Sequence, residues 1–420
     1  MTATSSLPIQ AATLPCGLRL VLAPSTSDVV HCGYIVLAGT RHEAPADTGL
    51  AHFIEHMSFK GTARRRAFHI SNGLERVGGE LNAFTNKQET VYQATVLQPD
   101  FDRAADLLTD IVFHSTYPQH EMEREAEVVC DEIDSYKDSP AELIFDEFEA
   151  MIFPGHPLGR DILGTAERLR AYRTADAARF ARQWYRPDNA VFYATGRLDF
   201  DRTVRRMERL TAGLAEERPA PPAATLPQQP PLPACPDAAQ ERTVRRGTHQ
   251  AHVVLGARAY GGRDPRRYGL LLLNNLLGGP GMNSRLNLRL REKAGLVYSV
   301  DAYLSTYPDT GLWNVYFGCD TADVGRCRRL VAAELRKLAQ RPLSAAQLAA
   351  AQKQLCGQIG IGRENAESYA LSVGRTYAYY GEAYDTDALC DRIRSLTPEA
   401  LRDIAAEAYA PERLTTLIYC

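Results

Sequence analysis

Residues 217–240 read ERPAPPAATLPQQPPLPACPDAAQ, with eight prolines between Pro219 and Pro236. Proline fixes φ and carries no backbone N–H, so this run can neither continue a helix nor fill a central strand. It predicts an extended, semi-rigid linker. The linker divides the 420-residue chain into parts of about 216 and 180 residues. A chain of this length exceeds one ordinary core, so two domains are expected, residues 1–216 and 241–420.

Each part mixes strands with helices. In the first, 18–23 and 29–37 are predicted strands and 51–60 and 68–77 helices; Gly78-Gly79 ends the second helix. The alternating runs 80–85 and 89–96 predict a hairpin across Asn86-Lys87-Gln88. Helices follow at 100–114, 119–136 and 166–184, then a strand at 190–195. The second part repeats the order loosely: strand 252–258, helices 267–277 and 287–293, a hairpin of 296–306 with 311–318, and helix 322–340. The stretches LERVGGELNAFTNKQETVYQATV and LREKAGLVYSVDAYLSTYPDTGLWNVYF both read helix, glycine, strand, turn, strand, which suggests an internal duplication.

Composition narrows the function classes. A formal net charge of −3 argues against a nucleic-acid binder. The dense basic run Arg64-Arg65-Arg66 is expected to be a solvated loop. No window of about 18 apolar residues predicts a membrane span, and the first twenty residues carry no secretory pattern. Nine cysteines at irregular spacing read as reduced thiols, which points to a cytoplasmic protein.

The informative motif is His52-Phe53-Ile54-Glu55-His56 within GLAHFIEHMSFKGT. Side chains four apart on a helix share a face, so His52 and His56 can offer two imidazoles to one ion while Glu55 reaches the same side. A hydrolytic zinc takes three protein ligands and an open position; a nearby carboxylate outside the ligand set can take a proton from water. H-x-x-E-H is such a zinc-peptidase signature. The apolar neighbours Leu50, Phe53, Ile54, Met57 and Phe59 predict a largely buried helix, where two imidazoles and a carboxylate without partners would be costly. The third ligand should be a carboxylate on another helix. In EMEREAEVVCDEIDSYKD, Glu125 and Glu132 lie seven apart and share a face, though a glutamate-rich helix of this kind is also consistent with a plain solvated surface.

With these residues the chain resembles the pitrilysin-type (inverzincin, M16) zinc metallopeptidases, in the short-chain branch related to mitochondrial processing peptidase. The resemblance continues through GGELNAFTNKQETVY (78–92) and GHPLGRDILGT (155–165). It implies that Glu132, 76 residues after His56, is the third ligand of one zinc per chain and that Glu125 supports the site from outside it. It implies that Asn82-Ala83-Phe84 belong to a strand that pairs with extended substrate. In 278–303, GGPGMNSRLNLRLREKAGLVYSVDAY, the resemblance implies that Arg291 and Tyr298 complete the substrate site. The implied fold is α+β: two related domains, each a mostly antiparallel sheet flanked by helices, in a clamshell of two chains. Both motifs occur in one chain, which favours a homodimer, with a heterodimer of related subunits as the alternative. The expected activity is zinc-dependent endopeptidase action on peptides or small unfolded polypeptides. The competing readings are a catalytically silent scaffold of the same fold, one half of an obligate heterodimer, and a metal-binding protein without hydrolysis.

Overall fold

In a computed structural model, which describes residues 8–219, 230–235 and 238–420, the apolar strand segments assemble into two separate sheets. In chain order the first part forms strands β1 (Gln10–Thr13), β2 (Arg19–Pro24) and β3 (Val29–Val36), helices α1 (Leu50–Ser58) and α2 (Ala67–Glu75), then β4 (Glu80–Thr85) and β5 (Thr90–Leu97). Helices α3 (Phe101–Phe113), α4 (Gln119–Lys137), α5 (Pro140–Ile152), α6 (Ala166–Ala171) and α7 (Thr174–Trp184) follow, with β6 (Ala190–Gly196), α8 (Phe200–Leu210) and α9 (Leu214–Glu217). Residues 220–229 and 236–237 of the expected linker lie outside the described residues. The later part forms β7 (Gln240–Val244), β8 (Ala251–Ala259), α10 (Arg267–Gly278), β9 (Val297–Thr306) and β10 (Gly311–Cys319). It ends with α11 (Val324–Gln340), α12 (Ala345–Gly362), α13 (Ala366–Tyr380), α14 (Thr386–Arg394), α15 (Pro398–Ala408) and β11 (Thr415–Tyr419).

The first unit holds the described residues of 1–135, 160–230 and 362–384. Its sheet runs β1-β2-β6-β3-β5-β4, antiparallel except where β2 meets β6. Along β3, the inward residues Val30, Cys32, Tyr34 and Val36 are fully buried, and Tyr34 packs edge-on to Phe113 of α3 and Phe192 of β6 at 5.3 and 5.1 Å. Each such side chain contributes roughly 1.5–3 kcal/mol by leaving water. The other face of the sheet is covered by α13, which lays Ala370, Val373 and Ala378 against Val21, Ile35, Val191 and Tyr193.

The second unit holds the described residues of 136–159, 231–361 and 385–420. Its sheet runs β7-β11-β8-β10-β9, with β7 and β11 parallel and the other pairs antiparallel. Strand by strand this repeats β2-β6-β3-β5-β4, so the repeat suspected from sequence is present in the topology. One face carries α10, α11 and α15. On the other, α5 places Ile144, Phe148 and Ile152 against Val254, Leu312 and Leu417. The fold is therefore two related α+β units with mixed, mostly antiparallel sheets.

Two local expectations change. The predicted helix 166–184 is two helices, because the backbone turns at Tyr172-Arg173, where Asp176 accepts the Arg173 N–H at 3.0 Å and starts α7 afresh. The arginine run is not simply solvated: Arg64 and Arg65 pair with Asp106 and with the buried Asp110.

Candidate metal centre

Helix α1 is buried along nearly its whole length, including Leu50, Phe53, Ile54 and Met57, so its polar residues must meet partners inside the protein. Its start is unusual. Gly49, at φ 85°, occupies the N-cap and has no side chain to accept the first free amides. The buried Glu43 does so instead, taking N–H bonds from Gly49 at 3.1 Å and Ala51 at 2.8 Å. Behind it runs GHPLGRDILGT. Arg160 donates to the Glu43 carbonyl at 2.9 Å, Lys87 donates to the Arg160 carbonyl, and Tyr172 donates to the Thr48 carbonyl at 2.9 Å. At the far end of α1, Ser58 bonds Tyr92 at 3.0 Å, and Tyr92 bonds Tyr185 at 3.0 Å.

The face of α1 so fixed carries His52, Glu55 and His56. The two imidazole rings stand 4.6 Å apart. From α4, Glu132 Oε2 lies 3.9 Å from His52 Nε2 and 3.8 Å from His56 Nε2. One donor atom from each of the three can be chosen so that all lie within 4.8 Å of one another. Ligand atoms about 2.0–2.2 Å from a tetrahedral zinc sit roughly 3.3–3.6 Å apart, so the set would have to draw together by up to about an ångström to hold one.

The protonation chemistry of His52 suits a cation, whereas at His56 desolvation is outweighed by Glu125, Glu55 and Glu132, which raise its pKa. Burial, reinforced by His56, holds the His52 pKa down at about 3, so this ring is neutral and has a lone pair to give. His52 Nδ1 is buried without a hydrogen-bond partner among the described residues. His56 is held differently: its Nδ1 bonds Glu125 Oε1 at 2.9 Å, which turns Nε2 toward Glu132. Desolvation pushes the Glu125 carboxyl up, but the hydrogen bonds from His56 and Lys60 outweigh it and hold the pKa below the usual value. Lys60 reaches the other oxygen at 2.6 Å. Glu125 thus stands where an outer partner would orient His56 and raise its basicity if that imidazole ligated a metal.

Glu55 is buried and stands apart from the three donors. Burial raises its pKa, opposed by a hydrogen bond from Thr85 Oγ1 to Oε2 at 2.7 Å. A carboxylate with raised pKa is a better proton acceptor near neutral pH. Thr85 ends β4, the outermost strand of its sheet, which among the described residues pairs with β5 alone. Asn82 is exposed on this edge, and its Oδ1 accepts the Ala83 N–H at 2.8 Å. Phe84 is partly buried beneath the guanidinium of Arg375, 5.5 Å from its ring centre.

Arg291 and Tyr298 belong to the second unit. Arg291 lies in a single π-helical turn, Asn287–Glu292, and Tyr298 near the start of the edge strand β9. Tyr298 is 83% exposed and the Arg291 guanidinium stands 5.7 Å from its ring centre. The structure thus brings His52, Glu55, His56, Glu125 and Glu132 together in one unit, with the β4 edge adjoining through Thr85, and groups Arg291 with Tyr298 in the other. Three contributors were not singled out from sequence: Glu43, Lys60 and Thr85. Of these Lys60 had a signal, standing four residues after His56 on the same helical register.

Comparison with known proteins agrees with this architecture. Residues 19–166 match the model of the insulinase family, peptidase family M16, and residues 174–355 match that of the peptidase M16 inactive domain. An uncharacterized zinc protease of Streptomyces coelicolor is 34% identical over 95% of this chain and 87% of its own length. The uncharacterized zinc protease YmxG of Bacillus subtilis is 30% identical over 96% of both chains. A crystal structure of a protease from Helicobacter pylori superposes with a TM-score of 0.90 at 21% identity, covering 99% of both chains. That of a peptidase M16 inactive domain from Pseudomonas fluorescens gives 0.89 at 19% identity, covering 98% of both. The chain belongs to the M16 family of zinc proteases.

Proposed function

We propose that the chain is a zinc-dependent endopeptidase that hydrolyses peptides or small unfolded polypeptides. The observation that carries this is the convergence of His52, His56 and Glu132, with a buried, non-ligating carboxylate, Glu55, one residue before His56. His52 Nε2, His56 Nε2 and a Glu132 oxygen would hold one zinc ion. A zinc ion bound there supplies Lewis acidity, lowering the pKa of water and polarising a peptide carbonyl. Glu55 takes the proton from the attacking water and passes it to the leaving amine. The free edge of β4 at Asn82-Ala83-Phe84 pairs with the extended peptide backbone, which makes binding nearly blind to side chains. Arg291 holds a substrate carbonyl and the Tyr298 hydroxyl donates to the developing oxyanion. Their exposure and mutual proximity support these roles.

One chain carries both motifs, which supports a homodimer over a pair of unlike subunits. Nine cysteines free of disulfides support a cytoplasmic setting, and no helix among the described residues is long and apolar enough to cross a membrane. A silent scaffold is the second reading, favoured by the match of residues 174–355 to the inactive-domain model; the intact donor set of the first unit speaks against it. The test is elemental analysis of the purified protein beside His52→Ala, His56→Ala and Glu132→Ala. About one zinc per wild-type chain and loss of metal with loss of peptide cleavage in each variant is expected. Full zinc in His56→Ala would overturn the ligand assignment.

A further inference from the structure

Resting on that reading, we infer that Thr85 is a positioning residue for the base: it holds Glu55 by one oxygen and ties the substrate-pairing strand to the chemistry. Thr85 has one hydroxyl proton, and Oε2 of Glu55 lies 2.7 Å from its Oγ1. An ionised carboxylate only accepts, so that proton goes to Glu55. The bond fixes the plane of the carboxylate and leaves Oε1 as the oxygen that takes a proton from water.

Across the turn Thr90 Oγ1 lies 3.2 Å away, but it donates its own proton to the Ala38 carbonyl at 2.9 Å, which leaves the Thr85 proton for Glu55. The turn between β4 and β5 is tied down by the buried Glu89, which meets Arg375 Nε at 2.5 Å and the Tyr379 hydroxyl, both on α13. Asn86 closes the turn by accepting the amides of Gln88 at 2.8 Å and Glu89 at 3.0 Å. The turn that follows the last residue of this edge strand is therefore tied down, and that residue's hydroxyl is bonded to the base. An extended peptide added to β4 would lie on the same strand whose end sets the Glu55 carboxylate.

The experiment compares Thr85→Val, Thr85→Ser and Glu55→Gln in the full chain, reading zinc content, melting temperature, kcat and KM on one peptide. Thr85→Val keeps the shape and removes the donor. Its kcat should fall about 10- to 100-fold, the usual loss for an outer-shell hydrogen bond, with KM, zinc content and melting temperature close to wild type. Thr85→Ser restores the hydroxyl and should recover most of kcat. A crystal structure of Thr85→Val, metal-free or loaded, should show the Glu55 carboxylate rotated away from its present position. If Thr85→Val does not fold, Thr85→Ala provides the same comparison. Wild-type kcat in the Thr85 variant beside an inactive Glu55→Gln would overturn the inference and leave the peptidase reading standing. A fall confined to KM, or shared equally by the serine variant, would also overturn it. Full turnover by Glu55→Gln would remove the peptidase reading and this inference together.

Discussion

At the scale of single residues, the centre depends on asymmetry between its two histidines. His56 has an outer partner in Glu125, itself neutralised by Lys60, whereas His52 Nδ1 has none. Glu125→Ala should therefore weaken zinc binding through His56 alone. A loss of about 10-fold or more in zinc affinity is expected, measured by competition with a chromogenic chelator; unchanged affinity would mean that His56 needs no outer partner. His42 offers a separate test, remote from metal chemistry. Its Nδ1 accepts the Gly39 N–H at 3.1 Å, its ring packs 4.9 Å from Trp184, and burial followed by Arg41 lowers its pKa to about 4. A folded pKa below the unfolded value of about 6.5 means that the unfolded chain takes up the proton first as pH falls. The neutral ring's contribution is complete above about pH 6.5 and is lost as pH falls toward 4, on the order of 1–2 kcal/mol for a partly exposed ring. Denaturant melts of His42→Asn should show a shallower acid slope over that window than wild type; an identical slope would show that His42 does not carry it.

At the scale of elements, the zinc-motif helix is fixed more firmly at its start than its own residues suggest. Gly49 and Gly164 cross with backbones in contact: a Cβ on Gly49 would stand 2.7 Å from the Leu163 carbonyl oxygen, and one on Gly164 2.6 Å from that of Thr48. Both have positive φ, at 85° and 73°. Gly49→Ala meets strain and overlap at once, so a loss of about 2–4 kcal/mol and a lower melting temperature are expected. Metal affinity should fall with it, because α1 carries two of the three donors. Calorimetry with and without zinc checks both, and a wild-type melting temperature would contradict the packing argument. Much of this cluster's geometry was legible beforehand. The helical spacing of His52, Glu55 and His56 and the hairpin of β4 and β5 follow from local pattern, and the family resemblance pointed to Glu132 over Glu125. Glu43 was not legible, because a cap supplied from six residues upstream leaves no S-x-x-E signature. Thr85 was hidden for a similar reason: a threonine ending a strand looks like any β-branched residue until Glu55 is placed beside it.

At the scale of the whole molecule, the proline-rich segment does not separate the two units. Helix α13 lies far beyond it in sequence but covers the first sheet, approaching so closely that a Cβ on Gly374 would stand 2.8 Å from the Tyr193 ring. Helix α5 lies before the segment and covers the second sheet. Amphipathic pattern says that such helices bury one face but not against which sheet, which is why neither placement could be read from the sequence. A fragment ending at residue 216 would leave Val21, Ile35, Val191 and Tyr193 uncovered and Glu89 without Arg375 and Tyr379. Such a fragment is expected to bind a hydrophobic dye and to melt without cooperativity. A sharp melt with full zinc binding would show that α13 is dispensable. Peptide-bond hydrolysis by the α1–α4 centre, with Glu55 as base, stands or falls on turnover by Glu55→Gln. At wild-type zinc occupancy the variant should lose nearly all cleavage of a peptide mixture, at least about 100-fold, because an amide cannot take the proton. Near-normal turnover by that zinc-loaded variant would contradict the account.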